Sequence, residues 1–399
     1  MLGKRNYQNK NSSKKRSQKP KKEIFVIGDI EMGAGTITDD FISDSTLSTL
    51  ILSLAKKKGV VDLILNGDTF DFLKCPFSYQ GKQLHPTKIT EQISLNKLES
   101  IYTAHQPVFR ALHQFVQDPL HNLYFIIGNH DHDLFFPAVQ KRIYQFLKGR
   151  HNVFFTLLYE QNKVHVEHGH QYDPLNCIDP ENVFTTTPKN TFLNLPEASQ
   201  GVLSSFISLK TKYHPFLERI KPINVLLSQH KLLNKSIKRR TLIYFTQRMI
   251  GYFLRRLINK KTAFPKELVR EVFMRVKKQV DCDVKDFVLV FKHQKKRKLA
   301  KGNIYVFGHL HERYYEHKGW CIVRADTWRD EYVFDEATRT LIPKTKAYVH
   351  IVVSARGDPR VSIKFCPVQR TLLPFAKVLA DEFACLKQAA KEEGYRLRL

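Results

Sequence analysis

Leu123-Tyr124-Phe125-Ile126-Ile127-Gly128-Asn129-His130-Asp131 runs a strand-like apolar segment straight into a glycine and three side chains that can bind a metal or carry a proton. Four more segments repeat that plan. Residues 23–28 lead into Asp29-Ile30-Glu31, 60–65 into Gly67-Asp68, 164–167 into His168-Gly169-His170, and 304–307 into Gly308-His309-Leu310-His311. Alone, an Asp after a strand is usually a helix cap, an Asn a turn residue, and a His a satisfied, partly buried imidazole. Five acid-, amide- or imidazole-bearing turns after five predicted strands instead fit the rule that ligands gather at the carboxyl ends of sheet strands. They read as one dispersed metal site.

Residues 43–58 have the pattern of a helix that begins at a Ser or Asp cap and stops on Gly59, and 89–117 has helical period interrupted by Pro107. Strand, helix and strand in alternation predict an α/β layered sheet. Residues 153–158, 164–167, 304–307, 321–324 and 348–353 suit further strands and imply a second sheet, and 372–396 reads as a closing helix. At 399 residues the chain can bury the core of one large catalytic domain.

The net charge of +27 is unevenly spread. Residues 1–22 carry nine Lys or Arg and no acid, and 201–301 carry 26 basic and six acidic residues, a net of +20. Subtracting 9 and 20 from 27 leaves −2 for everything else. The expected organisation is therefore a disordered basic tail over 1–22, a nearly neutral catalytic domain over 23–200 and 302–399, and a basic, mainly helical insertion over 201–301 that could serve as a lid. Within it, 203–212, 221–258 and 266–280 read mostly as helices. On a wheel through 242–259, Arg248, Arg255 and Asn259 share one narrow face, while Leu242, Phe245, Met249, Phe253 and Leu257 centre a broad apolar one. The plain reading is a helix packed through its apolar arc with its charges in solvent; the sharper one is a basic amphipathic helix on a membrane surface.

Cys75, Cys177, Cys282, Cys321, Cys366 and Cys385 have no paired short spacing and read as reduced thiols. No secretory h-region follows the basic N-terminus, and no run approaches the roughly 18 apolar residues of a membrane span. The expected location is cytoplasmic, peripheral on the inner face of a membrane.

Phosphoester hydrolysis needs an activated water and neutralisation of charge on the phosphorus oxygens, and two divalent ions supply both. The five segments offer the carboxylate, amide and imidazole ligands such a pair requires. The set resembles the calcineurin-like metallophosphoesterase superfamily, whose pattern is Asp-x-His, Gly-Asp, Gly-Asn-His-Asp or -Glu, a lone His after a strand, and Gly-His-x-His. That resemblance implies a four-layer fold of two packed mixed β-sheets flanked by helices. It also implies roles: Asp29, Asp68 and His311 for one metal with Asp68 bridging, Asn129, His168 and His309 completing the other, and His130 beside the leaving group. Asp71 or Asp131 would orient His130. The pattern departs at Glu31, where the family usually has His. Counting Glu31 as a ligand leaves four protein ligands per metal, and the added carboxylate favours Mn, with Mg, Fe or Zn as alternatives.

Among family branches the UDP-2,3-diacylglucosamine pyrophosphate hydrolases are the most similar in placing a helical lid between the fourth and fifth motifs, though the insertion here is longer and more basic. The expected substrate is therefore an anionic lipid or nucleotide-lipid, with an anionic membrane surface as partner of the insertion and tail. A nuclease or nucleotide phosphodiesterase is the alternative, and an inactive scaffold binding membrane or nucleic acid a third.

Overall fold

In the strand Lys22–Ile27, Ile24 and Val26 point to one face and Phe25 and Ile27 to the other, and all four are buried, so this strand must be covered on both sides. The computed structural model, which describes residues 22–148, 151–201, 203, 206–258, 288, 290, 291 and 299–398, shows what covers it. A six-stranded sheet has the edge-to-edge order Pro359–Cys366, Lys346–Val353, Lys22–Ile27, Val60–Asn66, His121–Ile126, Val153–Thr156. The last four run parallel, and the first two join antiparallel. A five-stranded sheet, ordered Tyr314–His317, Cys321–Arg324, Ile304–Phe307, Val164–Glu167, Tyr159–Gln161, lies against it. Ile24, Val26, Ile64, Val349 and Ile351 meet Val164, Val166, Val306 and Val323 in the core between the sheets.

On the far side of the first sheet, Phe25, Ile27, Leu63, Leu65 and Phe125 pack beneath the helices Asp44–Ala55, Glu91–Ala104 and Gln106–Phe115. Tyr172, Val288 and Phe291 cover Tyr305, Phe307 and Ile322 on the outer face of the second. The α/β layering expected from the sequence is thus present.

Two expected helices are divided. The 89–117 segment breaks at His105, two residues before Pro107, which then sits in the first turn of the second helix. The closing segment splits into Phe375–Ala380 and Glu382–Glu392 at Asp381, which is extended and caps the second helix by accepting from Ala384 N at 2.9 Å.

His105 is fully buried, with Nδ1 2.8 Å from Asp44 Oδ1 and Nε2 3.0 Å from Asp39 Oδ2. Burial acts to lower its pKa, but Asp39 and Asp44 outweigh burial and raise it to about 10. Because the folded value lies above the unfolded one, the stabilisation is complete below about pH 6.5 and is lost as pH rises through 10. Stability measured by urea unfolding is expected to fall between pH 7 and 10, with a His105 contribution of at most about 1.4 kcal/mol per pH unit. His105→Gln should flatten that slope; an unchanged slope would refute the assignment.

The start of the expected insertion is tied into the body. Ile220–Lys221 pairs in parallel with Tyr332–Asp335, and the fully buried Arg219 reaches Asp330 Oδ2 at 2.7 Å and the Asp39 carbonyl. Beyond it come the helix Asn224–Gln229, whose Leu226 joins the buried cluster of Phe216, Ile220 and Tyr332, and the long helix Lys231–Ile258. No helix among the described residues is long and apolar enough to cross a membrane. The expected tail up to residue 21, the expected helix over 266–280, and Cys282 lie outside the described residues.

Candidate metal centre

All five segments leave carboxyl ends of strands, and the loops of one sheet meet those of the other. Asp29 Oδ1 accepts from His309 N at 2.9 Å, and Asp68 Oδ2 lies 3.1 Å from His168 Nε2. Asp29, Glu31, Asp68 and His309 all have positive φ, at 51°, 56°, 49° and 71°. Such conformations cost about 1–3 kcal/mol each and persist only where the surroundings over-determine them. Here neighbouring loops zip together: Asp29 N donates to Gly67 O, Glu31 N to Asp68 O, and Trp328 N to Asp29 O.

The glycines of the motifs follow from the same crowding. A Cβ on Gly67, itself at φ 74°, would lie 2.3 Å from the His168 ring, and one on Gly128 would lie 2.2 Å from Asp68 Oδ1. Neither position can hold a side chain without moving a candidate ligand.

Three imidazoles share one arrangement: one ring nitrogen is held from outside and the other points into the cluster. His168 bonds the Asn66 carbonyl through Nδ1 at 3.0 Å, and its Nε2 faces Asp68 and Asn129 Oδ1, both at 3.1 Å. His309 bonds Asp173 through Nε2 and faces Asn129 Oδ1 through Nδ1, each at 3.0 Å. His311 bonds Glu331 through Nδ1 at 2.8 Å, while its Nε2 stands 3.5 Å from Asp29 and 3.6 Å from Glu31 Oε1. Ligand atoms about 2.1 Å from a shared ion are roughly 3.0–3.4 Å apart, close to these separations. Carboxylate or carbonyl partners on the far nitrogen are the usual support of metal-bound His. Glu31 Oε1 is also buried without a hydrogen-bond partner. The residues present therefore fit divalent ions. Among the described residues, one ligand atom each from Asp68, His168 and His309 lie within 4.8 Å of one another, as do those of Glu31, Asp68 and His130, so Asp68 is common to both groups.

His130 lies against Asp71, with Nδ1 3.1 Å from Asp71 Oδ1. Burial would lower its pKa, but Glu31, Asp68 and Asp71 outweigh that and raise it to about 10. Asp131 does something else: its carboxylate accepts from Gly128 N at 2.6 Å and Thr69 N at 2.8 Å, pinning two site loops together. Burial, with Asp68 adding to it, pushes the Asp131 carboxyl up to about 7.

The motifs gave no hint of the cations beneath Glu31. Lys74 Nζ sits 2.9 Å from Glu31 Oε2, 2.6 Å from Asp40 and 3.1 Å from Asp71. Arg329 Nε is 3.3 Å from the same Glu31 oxygen, and Arg329 also reaches Asp40 at 3.0 Å. Glu31 thus turns one oxygen to two cations and leaves the other for the cluster. Its extra charge, relative to an imidazole, is balanced locally. Asp173 and Glu331, which hold His309 and His311, were equally invisible in the sequence because neither falls in a motif.

A family model described as calcineurin-like phosphoesterase matches residues 22–257. No curated protein matches the chain. The matched stretch holds every candidate ligand except His309 and His311, which join the others through the Asn129 and Asp29 contacts above.

Proposed function

Because the chain belongs to the calcineurin-like phosphoesterase family and so is a metal-dependent phosphoesterase, we propose that Asp29, Glu31, Asp68 and His311 hold one divalent ion, and Asp68, Asn129, His168 and His309 a second. We further propose a substrate that is an anionic lipid or nucleotide-linked lipid of the UDP-diacylglucosamine kind. Bound ions, with Mn the favoured candidate for this oxygen- and nitrogen-rich set, supply an acidified water and charge neutralisation at phosphorus. The chain's own residues do the rest. Asp71 holds Nδ1 of His130, which leaves Nε2 as the atom that gives its proton to the leaving oxygen.

The observation behind the lipid reading is the helix Lys231–Ile258. It meets the body through its polar side: Arg248 Nε donates to Glu197 Oε2 at 2.7 Å, and Tyr244 donates to the Glu197 carbonyl at 3.0 Å. The plain expectation of an apolar arc turned inward fails over the outer half of the helix, although Leu233 and Ile237 near its start do pack inward. Leu232, Leu242, Ile243, Ile250, Phe253 and Leu254 are exposed, Leu242 by 69% and Phe253 by 65%. At 100° per residue these six fall within an arc of about 120°. Lys235, Lys238 and Arg239 are exposed on the same side toward the helix start. A basic, apolar outward face matches an anionic lipid surface, where apolar burial and headgroup attraction add.

Vesicles containing anionic lipid should bind the full chain, and Leu242→Ser/Phe253→Ser should weaken that binding about tenfold or more. Turnover of a soluble phosphodiester should be unaffected. With Mn present, a panel of UDP-diacylglucosamine, phospholipid headgroup esters and single-stranded DNA reads the substrate class. Turnover confined to DNA would replace the lipid reading with the nuclease one.

A further inference from the structure

We propose a second, structural metal site, distinct from the catalytic centre, in which His214, His230 and Glu382 bind one zinc ion that ties the outer helices to the C-terminal helix. The three side chains come from separate elements. His214 follows the helix Ile207–Lys212, His230 is the single residue between the helices Asn224–Gln229 and Lys231–Ile258, and Glu382 opens the helix Glu382–Glu392. One ligand atom from each lies within 4.8 Å of the other two. His214 Nδ1 is 2.8 Å and His230 Nε2 3.9 Å from the same oxygen, Glu382 Oε1, and the two rings are 4.7 Å apart. Ligands of one tetrahedral zinc ion are separated by roughly 3.3 Å, between those two distances.

An ordinary ion pair would account for His214 and Glu382. It does not account for His230, whose Nε2 is buried, has no hydrogen-bond partner, and points at an oxygen too far away to bond. Glu382 is also held for the purpose. Its other oxygen accepts from Phe216 N at 2.8 Å, which fixes the carboxylate while Oε1 faces the imidazoles. Two imidazoles and a carboxylate are a donor set zinc takes in its open sites, where water fills the fourth position.

The place gives the ion a task. Among the described residues a small apolar cluster, Leu209, Leu217 and Leu233 with Ile223, Leu227 and Ile237 around it, packs the base of the long helix. An ion joining residues 214 and 230 to 382 would fix that base and so the direction in which the amphipathic helix leaves the body.

The test is elemental analysis of full-length protein loaded with zinc and dialysed. The native chain is expected to hold one more zinc per chain than His230→Gln or His214→Gln. Equal content in native and variant proteins would overturn the site. Should both variants fail to fold, Asp68→Asn/His168→Ala, which keeps the triad and cripples the catalytic centre, is expected to retain one zinc. A folded chain of that kind that takes up none overturns the proposal as well. Zinc should also raise the thermal midpoint of that chain, a gain His230→Gln removes.

Discussion

Asp68→Asn is expected to lower turnover about a thousand- to ten-thousand-fold, or about 4–5.5 kcal/mol of transition-state stabilisation, and to reduce bound metal by at least one ion per chain. Asp68 recurs in two clusters of close ligand atoms, with His168 and His309 in one and with Glu31 and His130 in the other. Its Oδ1 accepts from His130 N at 2.8 Å, and its Oδ2 faces His168 Nε2 at 3.1 Å. Burial would raise the Asp68 pKa, yet His168 and His130 outweigh it and hold the group well below the usual carboxylate range. Asn keeps the shape and removes the charge on which both ions would depend. His130→Gln makes the contrast. Metal content should stay at the native level while turnover falls about a hundred- to ten-thousand-fold. The loss should be smaller for a nitrophenyl ester, whose leaving group needs no proton. Native metal content and turnover within tenfold of native in Asp68→Asn would refute a shared ligand.

Much of this candidate site could be read before any coordinates, because its candidate ligands follow strands. A run such as 121–126 carries its own periodicity, and the glycine after it marks where a backbone must pass close to another loop, as Gly128 does against Asp68. What supports the ligands could not be read that way. Asp173, Glu331 and Lys74 meet His309, His311 and Glu31 only through tertiary contacts between loops, and no local pattern distinguishes them from capping or surface residues. The orientation of the long helix was hidden for a related reason. A wheel gives the faces, but which face turns inward follows from contacts distant in sequence, among them those of Arg248 and Tyr244 with Glu197, 51 and 47 residues away. The break at Asp381 was missed because an Asp within a helical pattern can be exposed or a new cap, and only the extended backbone decides.

Lys74→Met is expected to destabilise the fold by about 3–5 kcal/mol, the usual result of removing one partner from a buried ionic cluster. Lys74 is almost fully buried, and its ammonium sits among Glu31, Asp40 and Asp71. Burial and Arg329 work against its charge, but Asp40, Asp71 and Glu31 prevail and hold its pKa well above the ordinary value. Asp40 would still have Lys210 and Arg329, so the loss falls chiefly on Glu31 and Asp71, the two carboxylates that face the metal centre and His130. The same geometry revises what Glu31→His should do. On sequence grounds the change should retain activity and shift the metal preference. In the structure it also takes from Lys74 and Arg329 one of the two carboxylates they share, leaving Asp40, so the single variant should bind Mn more weakly, about tenfold or more. Glu31→His/Lys74→Met should recover part of both stability and metal affinity, with a coupling of about 1–3 kcal/mol. Urea unfolding and Mn titration of the two single variants and the double variant measure that coupling. Strict additivity would show that Lys74 and Glu31 act independently and that the cation does not compensate the irregular ligand.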